Sequence, residues 1–350
     1  MKAWRDRPTE QAQAAAEAAR RRAETEAELD AAGIDLDPIP PGQHAHPHQH
    51  SDPGERPTTG IVGAGAVGTA LGVALTRAGW PVQAVASRDP SRREHFHDLV
   101  DGARRFAEAQ ALIEEVELII LAVPDDALDP LARTLRMYSG QAMIHTSGAL
   151  GAEVLEPAMA AGTQIGSFHP LVAFADTERA VAALHGATVA IEGDDQLAPL
   201  LAEMAEALGA TAVRLAPGSK AAYHAAAVLA AGGFVALLDA IAELGAVAGL
   251  DEAGSLAIYG PLIEGTLGNA RALGIRAALT GPITRGDVGT LRAHLATLAN
   301  HAPGALDLYV AAARREIELA VARGSLAPGA AETLRASLPS RLQGPGEPVP

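Results

Sequence analysis

An α/β domain followed by an all-helical domain is the fold class the sequence predicts, on three observations. A glycine-rich GxGxxG segment, Gly63-Ala64-Gly65-Ala66-Val67-Gly68, stands between a short apolar run and a helical one. Strand and helix patterns then alternate to about Leu215, and beyond Pro217 the strand signals fade while long helical patterns take over. The strands are expected at Gly60 to Val62, Val82 to Ser87, Glu117 to Val123, Ala142 to Thr146, Gln164 to Phe168, Thr188 to Glu192 and Ala212 to Leu215, with a helix over Ala66 to Ala78. Such alternation implies a parallel sheet with crossover helices. The later helices are expected over Lys220 to Ala248, Glu252 to Leu273, Val288 to Asn300 and Ala305 to Arg323.

The glycine segment carries the most chemistry. In a strand–turn–helix context, the first glycine permits the tight turn and the second lets backbone approach a pyrophosphate. The third lets helix and strand pack closely, and the helix N-terminus favours phosphate charge. Gly63, Gly65, Ala66, Val67 and Gly68 are therefore expected to bind a dinucleotide in a Rossmann domain. Roughly 20 residues on, where an NAD-binding chain carries Asp or Glu, this one has Ser87-Arg88, with Arg92 and Arg93 nearby. A hydroxyl and a guanidinium neutralise a 2'-phosphate and no carboxylate rejects one, so NADP is expected over NAD.

Ala122-Val123-Pro124-Asp125 closes the apolar strand and turns the chain over the carboxyl edge of the sheet, where ligands sit in open α/β folds. His145-Thr146-Ser147-Gly148 and His169-Pro170 close two further strands. Val123, Pro124, Thr146 and Ser147 are thus expected beside the nicotinamide. Hydride reduction also needs a proton donor and a group to orient substrate. Lys220 and His224, spaced to share one helix face, are candidates for the first, and either can donate. Arg285, in the loop Thr280 to Asp287, can fork onto a carboxylate, with Asn269 pointing toward that loop. Asp287 suits an N-cap.

Of 350 residues 48% are apolar but only 3% aromatic, so a sizeable core of small, closely packed residues is expected. A net charge of -15 argues against nucleic acid or an anionic membrane as partner. The absence of cysteine excludes disulfides, thiolate nucleophiles and Cys-based metal sites, and suits the cytoplasm. No basic patch followed by an apolar run opens the chain, so no secretory signal is expected. The longest apolar stretch, Ala225 to Leu238, is shorter than the roughly 20 residues needed to cross a bilayer and reads as a buried core helix.

Residues 1–57 read as a weakly helical extension ending in a His- and Pro-rich linker, and 339–350 as a loose tail. His44, His46, His48 and His50 can take up a metal adventitiously, but nothing fixes a geometry and no functional metal site is expected. The Rossmann domain is expected over 58–216 and the helical substrate and dimerisation domain over 217–338.

Taken together, the GxGxxG opening, His145-Thr146-Ser147-Gly148, Phe168-His169-Pro170-Leu171, Tyr223-His224-Ala225-Ala226-Ala227 and Gly281-Pro282-Ile283-Thr284-Arg285-Gly286-Asp287 resemble a family of Rossmann-like oxidoreductases with a C-terminal helical domain of unassigned function. The resemblance covers about Gly60 to Leu326. In layout that family is similar to β-hydroxyacid dehydrogenases, ketopantoate reductases and pyrroline-carboxylate reductases. It implies NADP-linked reduction of a small 2-oxo or related carboxylic acid, ketopantoate among them, between the two domains of a homodimer. Here Lys220 is followed at the fourth position by His224, where dehydrogenases of that layout carry Asn, and Ala230-Ala231-Gly232-Gly233 replaces a further Asn-bearing stretch. The alternatives are an imine or deazaflavin reductase on the same scaffold, or a non-catalytic NADP-binding sensor or scaffold.

Overall fold

The computed structural model describes residues 55–216 and 218–339; His44, His46, His48 and His50, the extension up to Gly54 and the tail from Ser340 lie outside them. Arg56 stands just ahead of the expected domain boundary and is held in place. Its guanidinium stacks on Trp80 at 5.2 Å, bonds the Ala78 and Gly79 carbonyls and pairs with Glu203.

Eight strands form one sheet: β1 (Thr59–Val62), β2 (Val82–Ala86), β3 (Arg104–Phe106), β4 (Leu118–Leu121), β5 (Ala142–His145), β6 (Gln164–Pro170), β7 (Thr188–Glu192) and β8 (Thr211–Arg214), in the order β3-β2-β1-β4-β5-β6-β7-β8. Apolar strands such as Leu-Ile-Ile-Leu in β4 are buried on both faces, as a sheet covered by helices on each side requires. The covering helices are α1 (Ala66–Arg77), α2 (Pro90–Leu99), α3 (Ala109–Ile113), α4 (Leu128–Thr134), α5 (Thr177–Leu184) and α6 (Leu197–Ala207). Two apolar clusters, one around Ile61, Leu71 and Phe168 and one around Leu121, Leu128 and Met143, fill the two sides of the sheet.

One expectation about the sheet needs correcting. β6 and β7 are antiparallel, with Phe168 opposite Ile191, while every other pair is parallel. The connection through α5 begins and ends at the same edge, where Leu171 N–H donates to the Thr188 carbonyl, so the chain doubles back without crossing the sheet.

The second half is helical: α7 (Lys220–Ala230), α8 (Gly232–Val247), α9 (Glu252–Leu273), α10 (Ile275–Ala278), α11 (Val288–His301), α12 (Pro303–Ala322) and α13 (Pro328–Ser337). The expected helix from Lys220 to Ala248 is two, broken at Ala231 (φ −108°, ψ −84°) ahead of Gly232-Gly233. Nor is Ala225 to Leu238 a buried core helix. Leu229 is 72% exposed and Val235 63%, and on α9 Leu262 is 67% exposed. By length and composition Lys220–Val247 would suffice to cross a membrane, but the break at Ala231 leaves pieces of 11 and 16 residues, each below the roughly 20 required. The buried apolar contacts of this half lie elsewhere, among Ile283, Leu291, Ile317 and Leu334 and around Leu298 and Val310.

Candidate active site

The turn after β1 is built by its glycines. Gly63 has φ +108°, and a Cβ there would collide with the Ala122 carbonyl; one on Gly68 would collide with the Gly63 carbonyl. At Gly65 the space a Cβ would take is open, and this residue N-caps α1 without any side-chain hydrogen bond. The first N–H groups of α1 are left for an anion from outside.

These residues border a cavity of about 770 Å³ that also takes in Ser87, Arg88, Arg92, Val123, Pro124 and Thr146. An open cradle at Gly65, an uncapped helix start and a hydroxyl–guanidinium pair at the far end fit a dinucleotide carrying an extra phosphate. Asp89, also on the cavity wall, is occupied as the N-cap of α2, accepting from Ser91 N and Arg92 N. Arg93 is turned away, bonding the Ser87 carbonyl. Arg88 and Arg92 remain on the wall, Arg92 at 3.5 Å from Asp89.

Past Thr146 the carboxyl edge continues into a cluster of rings. His145 is fully buried, with Nε2 at 3.0 Å from the Gly151 carbonyl and Nδ1 accepting from Ser147 N–H. An Nδ1 that accepts leaves the proton on Nε2, so the ring is neutral and shapes the 145–151 loop. Burial pushes its pKa down to about 4. Ser147 turns inward, its Oγ accepting from Ala149 N and Leu150 N.

Beside it, His169 at the end of β6 meets two side chains of α7. Its Nδ1 lies 3.2 Å from the Tyr223 hydroxyl, and its ring stands edge-on to His224 at 5.7 Å. Gly148 makes room for this pair, since a Cβ there would collide with His224 Nδ1 and His169 Nε2 together. Burial first, then Lys220 and His224, push His169 down to about 4, and burial raises Tyr223. His224 Nδ1 is buried without a hydrogen-bond partner.

Lys220 takes a different place from the one its helix position suggests. It is buried, donating to Ser167 Oγ at 2.7 Å and to Glu192 Oε2 at 3.2 Å. The same Glu192 oxygen accepts from Ser167 Oγ and Ala152 N, so the ammonium is consumed in a link between the sheet and α7. Burial lowers the Lys220 pKa and Glu192 opposes that.

Arg285 and Asn269 are not brought to this edge. Arg285 is exposed on the short turn Ile283–Arg285, which packs against α12, and Asn269 is exposed on α9, which packs against α8 and α10. Asp287 does N-cap α11, accepting from Thr290 N. Among the described residues no group of three or more His, Asp or Glu side chains is placed to hold a metal. His169 and Tyr223 are the site residues that reasoning on separate motifs left without a role. Each lies within a sequence motif, but their meeting depends on the seating of α7 against β6.

Comparison with known proteins finds two family models along the chain. Residues 45–170 match the model of the Rossmann-like domain, and residues 187–316 match that of a domain of unknown function, DUF2520. The second match begins at β7, inside the sheet and at the strand where its direction reverses. No curated protein matches the chain by sequence. Among solved structures, a candidate NADP oxidoreductase from Bacteroides fragilis is similar at 24% identity and TM-score 0.64, over 75% of this chain and 98% of that one. A 1-pyrroline-5-carboxylate reductase from Streptococcus pyogenes aligns at 16% identity and TM-score 0.53, over 76% and 99% of the chains. A reductive aminase from Aspergillus terreus, solved with NADPH and ethyl levulinate, aligns at 16% identity and TM-score 0.58, over 81% and 99%.

Proposed function

We propose that this chain, a Rossmann-like domain joined to a DUF2520 helical domain, is an NADP-dependent oxidoreductase that reduces the carbonyl or imine group of a small molecule. The observation that carries the reading is the cavity running from the Gly63–Gly68 turn, with Ser87 and Arg88 at one end, to Thr146 at the other, next to a cluster of rings over Gly148. Gly63, Gly65, Ala66, Val67 and Gly68 would hold the pyrophosphate, Ser87 and Arg88 the 2'-phosphate, and Val123, Pro124 and Thr146 the nicotinamide end. The cofactor supplies hydride. The fold is shared with proteins described as an NADP oxidoreductase, a pyrroline-5-carboxylate reductase and an NADPH-bound reductive aminase, which supports the reaction class.

This chain's own residues divide the remaining work. His224, with its unpartnered Nδ1, hydrogen-bonds the polar atom of the substrate, and Lys220 positions α7 by its bonds to Ser167 and Glu192. Ser147 shapes the loop that carries Gly148.

For the substrate, the reading of a 2-oxo acid such as ketopantoate needs a cation for the carboxylate. Arg285 and Asn269 serve that reading from a second copy of the chain in a cytoplasmic homodimer, whose interface would cover the exposed apolar face of α7, α8 and α9. Reduction of an imine is favoured by a different observation. His145 and His169 are held neutral, Lys220 is already paired with Glu192, and Asp125 is close enough to act on His145, His169 and Lys220 alike. A site with that charge balance suits a neutral or protonated imine better than an anion.

Titration with NADPH and with NADH, followed by NADPH oxidation on a panel of 2-oxo acids including ketopantoate, ketones and cyclic imines, tests the reading. Tight NADPH binding and turnover of one acceptor is the expected result. Binding without turnover would move the assignment to a sensor, and no binding of either nucleotide would overturn it.

A further inference from the structure

Two facts about the ring cluster go beyond holding a substrate. His169 is flanked on its two nitrogens by different things: the Tyr223 hydroxyl at 3.2 Å on Nδ1, and on Nε2 the backbone of Gly148, with His224 Nδ1 close by. The second is that His224 Nδ1 has no partner although it is buried. A buried polar atom left unpaired costs about 1–3 kcal/mol, which a bound group that pairs with His224 Nδ1 would recover. A Cβ on Gly148 would lie within 2.6 Å of both His224 Nδ1 and His169 Nε2, so the two nitrogens are near enough for one polar atom to bridge them once the rings part slightly.

We infer that Tyr223 and His169 form a proton relay to this atom, with Tyr223 O–H donating into His169 Nδ1 and His169 Nε2–H donating to the oxygen or nitrogen under reduction. The inference rests on the reduction reading above and deepens it. The substrate group it fits is an uncharged carbonyl or imine, seated between His169 Nε2 and His224 Nδ1.

The chemistry explains why two residues are needed. Burial keeps His169 neutral near pH 7, and a neutral imidazole is a poor acid by itself. It becomes competent when a second donor refills Nδ1 as Nε2–H leaves, so that the ring passes from one neutral tautomer to the other. Tyr223 is that donor, and its own raised pKa keeps the phenol protonated until it is called on.

The balance is complete. The acceptor carbon gains a hydride from reduced nicotinamide, forming a C–H bond. The π pair of C=O or C=N moves to the heteroatom, which takes the Nε2 proton. Nδ1 takes the phenolic proton, and water returns one to Tyr223.

The test uses the full chain with bound NADPH, labelled with 15N in its histidines. Long-range proton–nitrogen correlation at pH 7 should find His169 as the Nε2–H tautomer, with an Nδ1 signal shifted by an accepted hydrogen bond that Tyr223→Phe removes. In parallel, Tyr223→Phe and His169→Asn should each lower kcat by about 100-fold on the acceptor panel, with KM and NADPH affinity little changed. An Nδ1–H tautomer in the unmodified protein, or a Tyr223→Phe variant with full kcat, overturns the relay while leaving the reductase intact. Failure of the unmodified protein to oxidise NADPH with every acceptor overturns the reduction reading, and the relay with it.

Discussion

Lys220 Nζ lies 3.2 Å from Glu192 Oε2, and the two residues tie the first turn of α7 to the strand at which the sheet reverses direction. Ser167 Oγ bridges them, donating to Glu192 and accepting from Lys220. Removing one member of such a pair strands the other charge. Lys220→Met should therefore lower unfolding free energy by about 3 kcal/mol, within the range for broken buried ion pairs. Glu192→Gln should cost a comparable amount: its amide oxygen still accepts from Ser167 and Ala152, but the more deeply buried Lys220 ammonium is left without its countercharge. Urea denaturation of both variants and the double variant reads this directly. A Lys220→Met protein as stable as the parent would show that the link is incidental.

Gly148 carries the second prediction. A methyl group there meets both imidazole nitrogens, so Gly148→Ala should push His224 and His169 apart. Displacements of about 1 Å at a reacting centre can cost on the order of 100-fold in rate. The expected outcome is a kcat loss of that size with NADPH affinity intact, since Gly148 lies past the cavity wall formed by Thr146. Weakened NADPH binding without a change in kcat would place the ring cluster outside the reaction.

How much of this was legible in the sequence depends on how local the physics is. The Gly63–Gly68 turn reads from six residues because Gly63 and Gly68 are demanded by backbone contacts within the motif or with the adjoining strand. The edge strand Arg104–Phe106 is short and largely charged, and it owes its strand state to pairing with β2 alone, so no periodicity announces it. The break at Ala231 lies in a run of Ala and Gly with no proline to mark it. Lys220 and Glu192 are 28 positions apart, joined only because β7 folds back beside β6. Arg285 and Asn269 stand out in the sequence by residue type and loop composition, which carry no information about which element they face.

Histidine burial makes a statement about pH. The His145 pKa falls from an ordinary value near 6.5 to about 4 because the charged ring would be desolvated. The unfolded chain thus binds the proton more readily between those values. The stability from neutral His145 is fully present above pH 6.5 or so, and is lost as pH falls through about 4. For a fully buried ring the contribution is about 3 kcal/mol. Thermal unfolding followed from pH 7 to pH 4 should give a falling Tm. His145→Gln, which keeps an acceptor and a donor but does not titrate, should flatten part of the slope. An unchanged slope in that variant would assign the effect elsewhere, His169 first.

Under the proposed function, Arg88 would set the nucleotide preference. It borders the cavity, whereas Arg93 is committed to the Ser87 carbonyl and Arg92 lies near Asp89. Arg88→Ala should weaken NADPH by about tenfold, roughly 1.4 kcal/mol, and leave NADH nearly unchanged. Calorimetric titration of each nucleotide distinguishes this from a general loss of the site, which would weaken the two equally.

The last prediction concerns the apolar face of the helical half. Leu229 on α7, Val235 on α8 and Leu262 on α9 are more than 60% exposed, and Ile275 on α10 is 73% exposed. Exposed apolar residues on neighbouring helices, if they form one patch, call for a cover. Under the proposed function, a second copy would be that cover and would also be the route by which the remote Arg285 and Asn269 reach a site. Stable pairs of chains commonly bury about 1,600 Å² in total, an area that three helices can supply. Light scattering should therefore give twice the monomer mass, and Leu262→Asp, which sets a charge where the face must become dry, should shift the equilibrium toward the single chain. If the unmodified protein is monomeric at micromolar concentration, Arg285 and Asn269 lose their route to the substrate, and the 2-oxo acid reading gives way to the imine one.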